Sequence, residues 1–377
     1  MIYLDYNASA PLDAKVREAM LPFLGERFGN SHSSHAMGKP LHDAVQLARE
    51  HVATLLGAEP DEVLFTSGGT ESNNHVIKGV ASSLRGRGNH VIISAVEHPA
   101  VVNPCKHLQK LGYEVSVVGV DSTGWVDPKS VMEEIRPTTV LISILHAQNE
   151  VGTLQDIREI ADIARSAGVL MHTDAAQSCG KVPTRVDELD VDFLSLASHK
   201  LCGPQGIGAL YVRKGSPIDP LHHGAGHQGG RRAGTEPVAL IVGLGEAARI
   251  ARDHADAAHS LASRDRLHDG LRRRLGDEAV LLGHPSRRLP NTLCIGFRGR
   301  IGGELLAACP EICASTGAAC HSGKAERSAT MTAMNVPEDL AFGAVRFSVG
   351  RFTTADEIDR AVEMLASAVA SASRAPS

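Results

Sequence analysis

Ser195-Leu196-Ala197-Ser198-His199-Lys200-Leu201-Cys202-Gly203-Pro204 places a lysine between an apolar run and a Gly-Pro turn. Alone, such a lysine is an ordinary surface-loop residue. Its meaning comes from the chain around it. From about residue 60 to 213, short apolar runs alternate with amphipathic stretches. Val63-Leu64-Phe65-Thr66, Val91-Ile92-Ile93, 113–119, Val140 to Leu145, Val169 to His172, Phe193 to Leu196 and Ile207 to Val212 read as strands. Residues 70–84, 99–110 and 155–167 read as helices. The last has Ile157, Ile160, Ala161 and Ala164 on one face and is stopped by Gly168. This alternation predicts an α/β fold with a mostly parallel central sheet covered by helices. Ligands bind such sheets beyond the carboxyl ends of the strands.

Outside that region the pattern changes. Residues 41–56 are helical, with Leu41, Ala44, Val45, Ala48, Val52 and Leu55 in register. A long helical stretch runs from about 238 to 275, followed by a Pro-rich turn from His284-Pro285 to Pro290. Short strands are expected at 292–297, 312–315 and 344–349. A final helix opens on the capping box Thr354/Glu357 and continues through Ile358, Val362, Leu365 and Val369. We read 16–255 as a large domain. Residues 1–15 and 256–377 form a smaller α+β domain with a frayed tail from about 371.

The chain has 377 residues, of which 43% are hydrophobic and only 3% aromatic. The core must therefore be Leu, Ile, Val and Ala, and a surface that stacks single-stranded bases is not expected. The net charge of −5 leaves no basic footprint for nucleic acid. No run of about 18 apolar residues suggests a membrane span, and the start lacks the pattern of a secretion signal. The seven cysteines are Cys105, Cys179, Cys202, Cys294, Cys309, Cys313 and Cys320. An odd number without a secretion signal predicts reduced thiols in the cytoplasm. Cys309, Cys313 and Cys320 do not make a strong metal signature, because no fourth ligand is evident; no metal is expected.

Two further segments bear on Lys200. His172-Thr173-Asp174-Ala175-Ala176-Gln177 sets a carboxylate after a strand, among small residues. Alone, Asp174 would more often be a helix cap. Thr66-Ser67-Gly68-Gly69-Thr70-Glu71-Ser72-Asn73-Asn74 runs from a strand through a Gly-Gly turn into a hydroxyl-bearing helix start, which suits a phosphate. It has neither the Gly-Lys-Ser/Thr of a nucleotide loop nor the three-glycine dinucleotide fingerprint. Phosphate cradle, acid and lysine stand in the order that a pyridoxal 5'-phosphate (PLP) fold needs. The acid would keep the pyridine nitrogen protonated and the ring an electron sink.

From Tyr3-Leu4-Asp5-Tyr6-Asn7 to Arg346-Phe347-Ser348-Val349-Gly350-Arg351, the chain resembles the NifS/IscS-like cysteine desulfurases. These belong to the class V branch of the fold-type I PLP aminotransferases, and the chain is similar also to selenocysteine lyases. The resemblance implies that Lys200 forms the Schiff base and Asp174 pairs with the pyridinium nitrogen. Gln177 would bond the ring's phenolic oxygen, with Asn149 nearby. His98, in Glu97-His98-Pro99, would stack on the ring and relay protons. Gly69, Thr70 and His199 would hold the phosphate. Thr235, in Arg232-Ala233-Gly234-Thr235, would reach the phosphate of a partner subunit, which implies an obligate homodimer. Arg346 would clamp the substrate carboxylate, a task suited to a planar guanidinium fork. Asn30 and Asn149 would lie close to the substrate.

The nucleophile follows from the same resemblance. Cys320 lies in Ala314-Ser315-Thr316-Gly317-Ala318-Ala319-Cys320-His321-Ser322-Gly323. These small residues suit a mobile loop (about 314–330) that visits the cofactor and then an acceptor. The implied reaction converts L-cysteine to L-alanine, with sulfur held on Cys320 as a persulfide and passed to an acceptor protein or thiol. Iron–sulfur cluster biogenesis, tRNA thiolation, DNA backbone sulfur modification and cofactor biosynthesis are all open as destinations. A selenocysteine lyase is the nearest alternative, since Cys320-His321 is shared with such members; a class V aminotransferase is a further one. The chain departs from the family at Ala197, where a phosphate-binding hydroxyl is usual. It also reads Gln148-Asn149-Glu150 for Asn-Asn-Glu, and Asn30-Ser31-His32-Ser33-Ser34 for Asn-Pro-Ser-Ser. Cys202 is expected to fill packing space, and the stretch His222 to His227 to form a loop near the substrate.

Overall fold

The computed structural model describes the backbone of residues 1–252, 255–321 and 324–372, and the side chains of these except 255–256, 318–321 and 324–326. A seven-stranded sheet forms the centre. Its strands lie in the order Val63–Thr66, Gly208–Val212, Phe193–Ala197, Leu170–Asp174, Thr139–Ser143, His90–Ser94, Glu114–Val118. The strands His90–Ser94, Thr139–Ser143 and Phe193–Ala197 are buried along their whole length. Helices cover both faces, which is why these segments read as unbroken apolar runs rather than as an alternation.

The sheet is parallel except for Gly208–Val212, which runs against both neighbours. Only residues 198–207 link it to the preceding strand. A parallel crossover takes a dozen or more residues, so the chain has to turn back. That return keeps the residues after Phe193–Ala197, including Lys200, at the carboxyl edge of the sheet.

A second sheet has the order Ser315–Thr316, Ala344–Ser348, Thr292–Phe297, Ala279–Leu282 and is antiparallel throughout. It packs on the helices Ala255–Leu275 and Ala355–Ser371 around Leu267, Leu271, Phe297, Phe347, Ile358 and Leu365. The capping box is present: the Glu357 amide donates to Thr354 Oγ1 and the Thr354 amide to Glu357 Oε2. Ile2 and Leu4 join the same core, because Ile2–Tyr3 pairs in parallel with Ile312–Cys313.

Two expectations need correction. The strand expected at 312–315 is two: Ile312–Cys313 pairs with the chain start, and Ser315–Thr316 pairs with Ala344–Ser348. An apolar run carries no sign of which partner it will find. The 238–275 stretch is two helices, Val238–Ala251 and Ala255–Leu275. In the region expected to be a loop, the backbone of Ala318–His321 pairs antiparallel with Lys324–Arg327, with Cys320 opposite Ala325.

The Val238–Ala251 helix lies close against Lys39–Leu56. A Cβ on Gly245 would meet Ala48 Cα at 2.5 Å and its Cβ at 2.6 Å. Backbone atoms cannot step aside cheaply, so Gly245→Ala should lower stability by about 1–3 kcal/mol. Urea unfolding with an unchanged m-value would show it; an unchanged midpoint would mean that the helices are free to part.

Candidate active site

Five strand ends and the chain start converge on one cavity of about 550 Å³. Its first wall is the Gly68-Gly69 turn. A Cβ on Gly208 would meet Gly68 Cα at 2.7 Å, so the turn lies flat against the reversed strand. The helix Gly69–Ser83 starts there, and its first amides have no partner within the helix. Glu71 ties the turn down. It accepts from the Ser67 amide at 2.7 Å and forms an ion pair with Arg232 at 2.9 Å. Arg232 and the Ser67 hydrogen bonds outweigh burial and hold the Glu71 carboxyl down at about 2.

Asp174 ends the strand Leu170–Asp174 and is buried. Its Oδ2 accepts from Asn73 Nδ2 at 2.6 Å, and its Oδ1 from the Ala176 amide at 2.9 Å. Beneath it, His172 is wedged between Ser143 and Ser195 at 2.8 and 3.0 Å. Burial pushes this imidazole down to about 3, so it stays neutral and links three strands.

Lys200 closes a short turn, Ser198–Lys200, past the end of Phe193–Ala197. Its Nζ donates to the Asn7 carbonyl and, at 2.7 Å, to that of Ala8. Burial and then the Arg346 guanidinium lower the amine to about 8, against the pull of Asp5 and Asp174. His199 is pushed down to about 4, first by burial and then by Lys200 and Lys181. His98 caps the helix Pro99–Lys110. Its Nδ1 accepts from the Ala100 amide at 3.1 Å, which places the proton of the neutral ring on Nε2. Next to it, Glu97 is buried and pushed up to about 8 by burial; it accepts from Ser94 Oγ and the Leu145 amide.

Arg346 reaches the cavity from the second sheet. It pairs with Asp5 at 2.7 Å and donates to Ser315 Oγ and the Asn149 carbonyl. Among the described residues its Nε–H is buried without a partner.

Of the residues singled out in the sequence, Gly69, Thr70, His98, Asn149, Asp174, Gln177, His199, Lys200 and Arg346 all line this cavity. Ala197 lines it too, with no hydroxyl to offer. Asn30 does not: its Oδ1 accepts from the His32 amide on an exposed loop that Ser31 ties to Glu236. The Asn30 side chain here closes an Asx turn with the His32 amide. Thr235 is exposed and lines a separate cavity with Gln228, Arg232 and Glu236. The Cys320 side chain lies outside the described residues. Cys202 is buried against Tyr6 and Ala10, as expected of a packing residue.

Asn7 was missed, although it sits in a quoted motif. It is 1% exposed. Its Nδ2 donates to Thr292 Oγ1 and the Asn149 carbonyl, and its own carbonyl accepts from Lys200 and Gln177. Glu97 and Asn73 were also unassigned. Polar residues inside apolar stretches were the available signal: each is 9% exposed or less and must find a partner.

The model of the family described as Aminotransferase class-V matches residues 2–361. A cysteine desulfurase IscS of Dictyoglomus turgidum is 45% identical over 368 residues, covering 97% of this chain and 93% of the relative. The chain belongs to the class-V aminotransferase family, among its cysteine desulfurases. In three dimensions it is similar to a NifS-like protein, with a TM-score of 0.91 at 34% identity over 98% of this chain and 99% of that one. It is also similar to SspA in complex with cysteine, with a TM-score of 0.82 at 36% identity over 94% of this chain and 100% of the other. Shared family membership accounts for the fold-type I sheet and for the gathering of Lys200, Asp174 and His98 at one edge. Among the described residues, no helix is long and apolar enough to cross a membrane.

Proposed function

We propose that this chain is a PLP-dependent cysteine desulfurase that converts L-cysteine to L-alanine and passes the sulfur to Cys320. The observation that carries the reading is a lysine amine lowered to about 8 facing a cavity that also holds a buried carboxylate and an arginine. The residues present fit the cofactor. Among the described residues Asn73 Oδ1 is buried without a partner, and Asn73 already holds Asp174 by its Nδ2, which fixes the carboxylate for a protonated ring nitrogen. The unpaired amides after Gly68 suit a phosphate, with Thr70 and His199 beside them. When bound, PLP would supply an electron sink for charge developing at the substrate's α-carbon.

The chain's residues divide the remaining work. Lys200 would hold the cofactor and, once released, carry the α-proton, since an amine near 8 is partly neutral at neutral pH. Arg346, whose Nε–H has no partner among the described residues, would take the substrate carboxylate, while Asp5 and the Asn149 carbonyl hold its fork still. His98, with its proton on Nε2, would cover the ring and relay a proton. Cys320 thiolate would attack the substrate sulfur, break its bond to carbon and keep it as a persulfide until an acceptor thiol or protein takes it. Thr235, standing away from this chain's own cavity, would serve the phosphate site of a second copy in a homodimer. The free cysteines fit a reducing cytoplasm.

The test is direct. With PLP and L-cysteine, the protein should release alanine and, given a reducing thiol, an equal amount of sulfide; keto-acid formation in place of alanine would refute the reading. Arg346→Ala should raise KM for cysteine about 10- to 100-fold, the scale of losing hydrogen bonds to a charged group. An unchanged KM would move the carboxylate elsewhere.

A further inference from the structure

One half-buried cation beside the cavity has no task in that scheme. Lys181 Nζ lies 3.2 Å from Gln177 Oε1 and 3.4 Å from Asn7 Oδ1. As ammonium, a lysine nitrogen has donors only and no lone pair with which to accept. The atom of Gln177 that meets it is therefore the amide oxygen, and the NH₂ points the other way. There it donates to the Asn7 carbonyl at 2.9 Å, beside Lys200, which uses the same carbonyl. Gln177 lines the large cavity; Lys181 does not. Lys181 stands behind, in a small cavity of about 40 Å³ shared with Lys200, Cys202 and Asn291.

The contacts of Asn7 reinforce this orientation. Its Oδ1 accepts from Asn291 Nδ2 at 3.0 Å and its Nδ2 donates to Thr292 Oγ1 at 2.8 Å, so the Asn7 amide is itself held. A glutamine amide has nearly the same shape in its two orientations, and only its partners decide between them. Lys181 is one of the two partners that decide.

We propose that Lys181 is a positioning residue: it fixes the Gln177 amide so that its NH₂, not its oxygen, faces the Lys200 side of the cavity. Given the cofactor reading on which this rests, that NH₂ is the donor available to an acceptor oxygen on the bound ring. Burial comes first among the influences on Lys181. Together with Lys200 and Arg346 it brings the group down to about 7, while Cys202 and Cys179 pull the other way. The ammonium form can only donate and so enforces the orientation; the neutral amine keeps a donor but can also accept, and enforces it less strictly.

The experiment is a pH titration of the visible absorption of the PLP-loaded protein, compared across variants. Lys181→Met should move the midpoint by about 0.5–1 pH unit, the scale of one hydrogen bond favouring one protonation state. Gln177→Leu should move it in the same direction by a similar amount, and the double variant no further than either single one. Lys181→Arg, which keeps a cationic donor, should return the midpoint toward wild type. In the cofactor-free protein, the ¹⁵N side-chain resonance of Gln177, assigned by its loss in Gln177→Leu, should move in Lys181→Met and not in Lys181→Arg. A wild-type midpoint and an unmoved Gln177 resonance in Lys181→Met would overturn the proposal, as would shifts that add in the double variant. A wild-type protein with no visible band would instead overturn the cofactor reading.

Discussion

Lys200→Ala is expected to abolish alanine formation from cysteine, with a loss of about 10³-fold or more, because it removes both the cofactor tether and the proton carrier. Among the described residues no other lysine lines the cavity: Lys181 lies behind Gln177, outside its lining. The same amine sets a second, milder signature. Cofactor capture needs the neutral amine as nucleophile. A group lowered to about 8 is mostly charged below that pH and mostly neutral above it. The rate at which cofactor-free protein takes up PLP should therefore rise with pH and level off above about 8. An ordinary lysine would still be gaining up to its usual 10.5. Absorption or fluorescence stopped-flow would read both. Alanine formation by Lys200→Ala near the wild-type rate would remove Lys200 from the chemistry.

Cys320→Ser is the second large effect. It should leave cofactor uptake and the visible spectrum intact, since Lys200, Asp174 and the Gly68-Gly69 turn hold the cofactor in this reading. It should lower sulfur transfer by about 10³-fold or more, because a serine hydroxyl is a far weaker nucleophile than a thiol near neutral pH. The other six cysteines make poor substitutes. Cys105, Cys179, Cys202, Cys294 and Cys309 are buried. Burial pushes the thiols of Cys105 and Cys294 up to about 12 and that of Cys179 to about 11, which removes their thiolates at neutral pH. Cys313, half-buried beside Tyr3 in the strand that pairs with the chain start, is the one described thiol open enough to compete. Sulfide and alanine assays on Cys320→Ser and Cys313→Ser separate the two positions.

The sheet was legible because its strands are buried on both faces and read as plain apolar runs. Lys200, Asp174 and the Gly68-Gly69 turn were legible because each stands where such a run stops. What stayed hidden depends on pairing across long distances. Asn7 gains its role only when the chain start folds back beneath Asn149, Thr292 and Lys200, more than 140 residues away. The segment 312–316 divides between two sheets, and nothing in Ile312-Cys313-Ala314-Ser315-Thr316 states which strands will receive it. Asn30 was placed near the substrate by family position. The local sequence, with Ser31-His32 in place of a proline, closes an Asx turn on the Asn30 side chain. Lys181 followed a Gly in what reads as an ordinary turn; only the buried oxygens of Gln177 and Asn7 give it meaning.

The central claim is that a carbon–sulfur bond of cysteine, activated beside Lys200, delivers its sulfur to residue 320. Intact and peptide mass spectrometry after a single turnover with L-cysteine, without added reductant, tests it most directly. The account predicts a gain of one sulfur atom (about 32 Da, as a persulfide requires) on the peptide that carries Cys320, absent in Lys200→Ala. The same gain on a different cysteine, or alanine release with no protein-bound sulfur at all, would contradict it.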